Sequence, residues 1–525
     1  MKQNMMRVAL SLVVASAAVA GLWSDEPAKP KEPAKPAEKT DMLAEAQSWN
    51  SDKFMPPPTQ FRTGNVTPRV LDAKAVKTLE KGFEISLPSG APVPTPTVYK
   101  GKLYVSGGFH SKEFYCFDAT DGKFVWGINL DDDGPTSAVC DDGVTLFNTE
   151  SCTLFAVDSA TGKHLWSYWL GDPLTSTPTV ANGKVFTSYP ARGGGGQMNQ
   201  APNAAGQKPA EGKQPEKAKA HPPCSHVLAA FDLKTGKILW QRWLDSDVMS
   251  APVAVEKELY VTSFAGIVYK FNQEDGKLLS AVKSRATSAP VVVGNNVYMT
   301  QRADDGKGNA KEAIAAQGRN NLDRLYQANS KDAPYLDEKV QKEAKLAGEA
   351  KSLDAGNGFP AMPAAANGAA AAFNVGQGNV STMQAFQGSR ILNMGERNFN
   401  CMGDEVVCTD PKSGNCLWSY KLPGDVKKEG GFLAAPPAAA GGQLFLVTLN
   451  GDVLQMDPKD GKITQKHKVG HQTRFQPAIE GGKIYVGTQN GKVVSLDAGD
   501  TKFTGWPCWG GNAAHTGLPG DLLKK

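Results

Sequence analysis

Phe117-Asp118-Ala119-Thr120-Asp121-Gly122-Lys123-Phe124-Val125-Trp126 carries the pattern on which the architecture rests. Its Asp118, Gly122 and Trp126 stand four residues apart, and the spacing returns in Asp158, Gly162 and Trp166, in Asp232, Gly236 and Trp240, and in Asp410, Gly414 and Trp418. Three degenerate copies follow the same frame: Asn272, Gly276 and Ser280; Asp457, Gly461 and Gln465; and Asp497, with Thr501 and Gly505 in place of the Gly and Trp. An Asp or Asn side chain hydrogen-bonds the backbone just ahead of it, and Gly takes the positive φ of a tight turn without steric cost. The phrase therefore reads as strand, turn, strand. Two more β-type runs precede each copy, as in Thr177 to Val180 and Lys184 to Ser188 around Asn182 and Gly183.

Each unit supplies four short strands, lettered A to D from the axis outward. Seven A strands begin near Thr95, Thr136, Ser176, Ser250, Ser288, Ala434 and Phe475, and seven B strands near Leu103, Val144, Lys184, Leu259, Val297, Leu444 and Ile484. Only six complete D strands follow, but Gly82 to Leu87 reads as a seventh, with Phe83 near the Trp position. The expected fold is all-β: a seven-bladed β-propeller of four-stranded blades, closed by this N-terminal outer strand against Lys492 to Asp497. Closure protects edges that otherwise invite aggregation. With insertions at about 190–225 and 303–390 set aside, a unit takes about 42 residues, within the range of propeller repeats.

Both insertions are expected between strands B and C, in blades 3 and 5, and so on one face. The first, with Gly193 to Gly196 and a run of Pro, Lys, Glu and Ala, has a disordered composition. The second is expected to hold a helix from Asp332 to Leu353, with Pro334 in its first turn.

Lys2 and Arg7 precede an apolar run from Val8 to Val19 that ends in Ala18, Val19 and Ala20, the pattern of a secretory signal peptide over residues 1–20. Its apolar core of about 12 residues is shorter than the ~20 needed to span a bilayer. The expected location is periplasmic or extracellular, with an uncleaved N-terminal anchor as the alternative. Residues 21–60 begin with alternating Pro, Lys, Glu and Ala and read as a disordered linker. The 57 Lys+Arg against 53 Asp+Glu imply no general attraction to nucleic acid or an anionic membrane. Eight cysteines in an exported chain could be paired, Cys140 with Cys152 and Cys408 with Cys416 first, or could be buried thiols.

The repeats "FDATDGKFVW", "VDSATGKHLW", "FDLKTGKILW" and "TDPKSGNCLW" resemble the PQQ-like propeller repeat of quinoprotein dehydrogenases and of the outer-membrane assembly propeller, over about residues 79–517 with the insertions excluded. The resemblance implies that Trp126, Trp166, Trp240 and Trp418 dock between neighbouring blades, where an indole buries much area. The tail from Trp506 and Pro507 through Gly511 and Asn512 to Thr516 and Gly517 resembles a segment found beside such propellers. Dehydrogenases of the family have eight blades, a disulfide between adjacent cysteines and a Ca²⁺ beside a catalytic Asp. This chain has no adjacent cysteines and offers no match onto which those residues carry over.

The D-to-A connections bring Asp131, Asp132, Asp133, Asp172, Asp245, Asp247, Arg285, His471 and Arg474 to the insertion-bearing face. Asp247, Arg285, His471 and Arg474 are the candidate ligand-binding residues. The two arginines could grip a carboxylate or phosphate, or could pair with Asp245 or Asp247 across the channel. No metal site is expected, because three consecutive aspartates fall short of the six or more oxygens that Ca²⁺ wants. The leading expectation is a monomeric, non-enzymatic binding or scaffold module of the cell envelope, with an envelope protein or glycan as partner and no cofactor. The alternative is a PQQ-dependent oxidoreductase with calcium.

Overall fold

β-branched and aromatic residues alternate with Asp-to-Gly turns, and every unit folds into an antiparallel sheet in the computed structural model. The structure describes residues 41–51, 64–149, 153–170, 177–191, 224–248, 251–303, 310–333, 390–426 and 432–500, with short pieces at 53, 55, 336, 428–429, 505–506 and 511–512. Blade 1 takes Thr97–Tyr99, Lys102–Ser106, Glu113–Asp118 and Phe124–Leu130 as strands A to D. Blades 2, 3 and 4 repeat that order over Val139 to Trp169, Thr179 to Leu244 and Val253 to Lys283. A strands touch from blade to blade and form the inner ring.

The ring has eight blades, which corrects the expected seven. The missed strands straddle the end of the span 303–390 that reads as an insertion. Lys311–Gly318 and Arg324–Asp332 are strands C and D of blade 5, while Ile391–Asn393 and Asn398–Met402 are strands A and B of blade 6. Its turn uses Gly318, Leu322 and Tyr326 where other copies have Asp, Gly and Trp. Backbone bonds persist where the marker side chains do not: Leu322 N donates to Gly318 O at 2.9 Å, as Gly122 N does to Asp118 O at 2.9 Å. Leu322 adopts a φ of 61°, and its side chain is fully buried. Asp332 ends a strand instead of opening a helix, and most of that expected helix lies outside the described residues.

Blade 8 is built from both ends of the propeller. Gly82–Ser86 pairs antiparallel with Lys492–Asp497, Phe83 opposite Ser495 and Ile85 opposite Val493. Phe83, Ile85, Tyr485 and Val493 share one buried cluster with Leu103, Tyr115 and Phe117 of blade 1. Glu84 fastens the seam through Lys492 Nζ at 2.5 Å and His471 Nε2 at 3.0 Å. Those partners hold its carboxyl below the usual value against the opposing effect of burial.

Blade-to-blade packing repeats one contact at seven of the eight junctions. The residue after the first turn position offers a carbonyl to a donor from the preceding blade: Trp126 Nε1 to Ser159 at 3.1 Å, Trp166 to Leu233 at 3.0 Å, Trp240 to Gln273 at 3.0 Å and Trp418 to Pro458 at 3.1 Å. Tyr326 Oη does the same to Pro411 at 3.0 Å, Lys270 Nζ to Arg319 at 2.8 Å, and Tyr485 Oη to Ala119 at 2.7 Å. A Cβ on Gly162 would lie 2.6 Å from the Trp126 ring, so the turn glycine also clears space for the indole.

The N-terminal residues strap the outer wall. Helix α1 (Met42–Trp49), inside the span 21–60 that reads as a linker, buries Met42, Ala46 and Trp49 against the D strands of blades 3 and 4. Asp41 caps it by accepting from Leu43 N and Ala44 N. Gly64 N donates to Ser167 Oγ of blade 2 at 2.8 Å, Val66–Arg69 adds a fifth strand to blade 1, and Val76–Leu79 adds one to blade 8. Residues 1–40, including the signal-peptide stretch, lie outside the described residues.

Candidate functional site

Antiparallel order alone sends B-to-C loops and D-to-A connections to the same face. The first long connection leaves blade 3 at Pro190 and returns at His226. The second leaves at Asp332, joins blade 5 to blade 6 rather than interrupting blade 5, and returns at Ile391. Both still open on that face.

Carboxylates on its D-to-A connections brace the next blade's hairpin. Asp132 accepts from Thr149 Oγ1 at 2.7 Å and from Thr153 Oγ1, and its neighbour Asp131 accepts from Asn65 Nδ2 at 3.3 Å. Asp245 accepts from Tyr269 Oη at 2.7 Å, Ser246 Oγ at 3.0 Å and Ser263 Oγ at 3.1 Å. Burial raises the Asp245 carboxyl, and those hydroxyls oppose the rise. Among the described residues no group of three or more His, Cys, Asp or Glu is placed to hold a metal ion.

Beside Asp245 is a second buried group. Asp247 Oδ1 accepts from Val248 N at 2.7 Å and lies 3.9 Å from His226 Nε2. Burial pushes the Asp247 carboxyl up to about 7 and the His226 imidazole down to about 3, so the pair holds its proton on the carboxyl at mildly acid pH. Ser225 Oγ is 2.9 Å from His226 Nδ1 and donates to Asp245 O at 2.9 Å. Ser, His and Asp stand together here, yet the serine proton goes to a carbonyl and the imidazole is enclosed. The arrangement anchors the base of the first long connection and does not activate a nucleophile.

The other candidate residues lie apart along the rim. Arg285 follows blade 4 with a φ of 53° and its carbonyl accepts from Arg302 N at 2.8 Å. His471 meets Glu84 and, at 3.3 Å, Asn490 Nδ2. Arg474 donates to Glu429 O at 3.1 Å and packs over the Phe432 ring. Asp172 and Cys152 lie outside the described residues. Cys140 is buried with its sulfur 3.4 Å from Thr145 Oγ1. Cys408 and Cys416 are unbridged in this structure, where a register shift sets Cys408 opposite Trp418 and Cys416 opposite Thr409.

One pair had no signal in the sequence. Glu312 and Arg390 meet at 3.2 Å with side chains 1% and 5% exposed, and Thr287 Oγ1 also donates to Glu312. Both lie in the span read as an insertion, and together they fasten the return of the second long connection.

Fold and rim define an eight-bladed β-propeller whose braced, polar face carries two long connections. A family described as outer membrane protein assembly factor BamB matches residues 110–201, 225–334 and 366–504, and the chain belongs to that family. The BamB of Nitrosomonas eutropha is 20% identical over 230 residues, 40% of this chain and 48% of that protein, so the chain spans about half the length of this curated relative. The crystal structure of BamB from Moraxella catarrhalis is 12% identical and covers 80% of this chain and 100% of its own, with a TM-score of 0.48. A quinohemoprotein alcohol dehydrogenase from Pseudomonas putida is also 12% identical, covering 80% and 76%, with a TM-score of 0.45.

With eight blades, blade number no longer separates this chain from the dehydrogenases. The sequence has no adjacent cysteines, and on this face Asp132 and Asp245 accept from hydroxyls of the next blade.

Proposed function

We propose that this protein is a non-enzymatic binding or scaffold module of the cell envelope and that its insertion-bearing face receives an envelope protein. The observation that carries this reading is the common exit of both long connections over a rim locked by the Asp132, Asp245 and Glu312 contacts. Long connections on a rigid scaffold are where binding concentrates. The family description supports a protein partner over a glycan, and the apolar run at residues 8–19 supports export. Among the described residues no helix is long and apolar enough to cross a membrane.

The test is capture from envelope extracts with the intact chain and with a chain in which 337–389 is replaced by a short linker. That deletion spares all four strands of blade 5 and Arg390. Partners held by the intact chain should be lost from the deletion; recovery of the same partners from both overturns the role of this connection. PQQ with Ca²⁺ should leave the melting temperature unchanged, whereas a rise at micromolar quinone would favour the oxidoreductase, because a ligand that binds only the folded state stabilises it.

A further inference from the structure

Stacked repeats are held by their own stability and by their contacts with two neighbours, so a closed ring yields where a pair of junctions is weakest. Two junctions here differ from the other six. Between blades 4 and 5 the docking donor is a cation: Lys270 Nζ donates to Arg319 O at 2.8 Å and Asn320 O at 2.7 Å, 3.5 Å from Glu258. Arg319 is itself held by Glu258 at 2.7 Å and Glu256 at 2.9 Å, so charged groups stand where the other docks use an aromatic ring. Enclosing charge offsets much of what such contacts gain. Between blades 7 and 8 the docking position is Gln465, which is exposed. Among the described residues no side chain of Ile463–Lys468 bonds to blade 8; Thr464 and His467 turn back to Gln443 and Gln455 of their own blade.

Apolar packing is interrupted at the same two places. One cluster runs unbroken through blades 5, 6 and 7, from Val291 and Ile314 through Phe399 and Val407 to Leu444 and Met456. Another runs through α1 and blades 2, 3 and 4, from Trp49 and Leu154 through Val227 to Tyr269. Smaller, separate clusters cross from blade 4 to 5, with Val268, Met299 and Ala315, and from blade 7 to 8, with Val453, Ile484 and Val494. Blades 8, 1 and 2 are also joined by smaller clusters, but Tyr485 and Trp126 dock across those junctions and the N-terminal strap runs over them. Within blades 5 to 7, Lys331 reaches Glu405 at 2.9 Å and Asn329 Nδ2 donates to Gly414 O, in addition to the Tyr326 and Trp418 docks.

We infer that blades 5 to 7, from Val291 to Lys468, open as one cooperative sector, parting from the strapped five blades at the Lys270 and Gln465 junctions. The sector is continuous in sequence, as units of partial opening commonly are. The inference does not depend on which partner the protein binds. Native-state hydrogen exchange on the full chain tests it. Amides in the C strands of blades 5, 6 and 7 (Lys311–Gly318, Glu405–Thr409 and Asp452–Met456) should exchange through one opening with a common denaturant dependence. They should exchange at least tenfold faster than Thr153–Asp158 and His226–Asp232 of blades 2 and 3. Lys270→Met, which removes the charged dock, should speed all three sector strands together by about tenfold and leave blades 2 and 3 unchanged. Three unrelated openings in the unsubstituted protein, or rates equal to those of blades 2 and 3, overturn the inference, and so does acceleration by Lys270→Met confined to blade 4 or spread over every blade. If that variant fails to fold, the pattern in the unsubstituted protein decides.

Discussion

The outer walls of blades 8 and 1 to 4 lie under the N-terminal strap, and those of blades 5 to 7 are bare among the described residues. Side chains follow the cover. The D strands beneath it read Phe-Val-Trp-Gly-Ile-Asn-Leu in blade 1 and Ile-Leu-Trp-Gln-Arg-Trp-Leu in blade 3, and Trp243 is 4% exposed. Bare D strands carry Arg324, Lys331, Lys421, Lys466 and Lys468, all exposed except the half-buried Lys331. Lysine along an unpaired edge hinders strand addition by another chain. Two solutions to one hazard thus divide the circumference, coverage on one side and charge on the other.

The indoles offer the sharpest way to break this contrast. Trp166 is 7% exposed, whereas Trp418 is only half-buried, though both donate to a carbonyl of the next blade. Trp166→Ala should cost about 3–5 kcal/mol and Trp418→Ala about half as much, measured by urea unfolding. Equal losses would mean that the cover adds nothing to burial.

Next in size is a pH response of the strapped half. Asp247 takes up a proton on folding between its ordinary value near 4 and about 7, while His226 gives one up between its ordinary value near 6.5 and about 3. The raised carboxyl alone lowers stability as pH rises through 7, and the depressed imidazole alone lowers it as pH falls below 6.5; the two slopes cancel between them. Asp247→Asn leaves only the histidine, so its stability relative to the unsubstituted protein should rise by about 3 kcal/mol from pH 4.5 to 6.5. Parallel profiles for the two proteins would show that the pair does not titrate as its burial demands.

Trp49→Ala should release α1 at a cost of about 2 kcal/mol, read as faster proteolysis near residue 50 with the main unfolding transition nearly unmoved. Lys421→Ala, on the bare wall, breaks a 3.5 Å contact to Asp404 between exposed groups and should change stability by less than about 0.5 kcal/mol. A larger loss there would place the bare wall in a contact of its own.

How much of this was legible in the residues depends on whether a contact leaves a marker. Closure by Gly82–Ser86 could be read because six D strands for seven turns demanded another. The eighth unit could not, since Gly318, Leu322 and Tyr326 keep the turn's backbone bonds with none of its usual side chains. The strap went unread because Met42–Trp49 is stabilised by a surface that only the assembled blades provide. Asp245 and Asp247 were placed on the right face by counting strands, but the histidine between connection and rim, like the Glu312–Arg390 pair, depends on contacts across elements that no spacing records.

Making one sheet from residues 82–86 and 492–497 has a consequence for biogenesis. The two halves of that seam emerge from the ribosome about 400 residues apart, so an incomplete product cannot lock its circle and keeps the inner edge of Gly82–Ser86 unpaired. The seam therefore cannot form until residues 492–497 have been made.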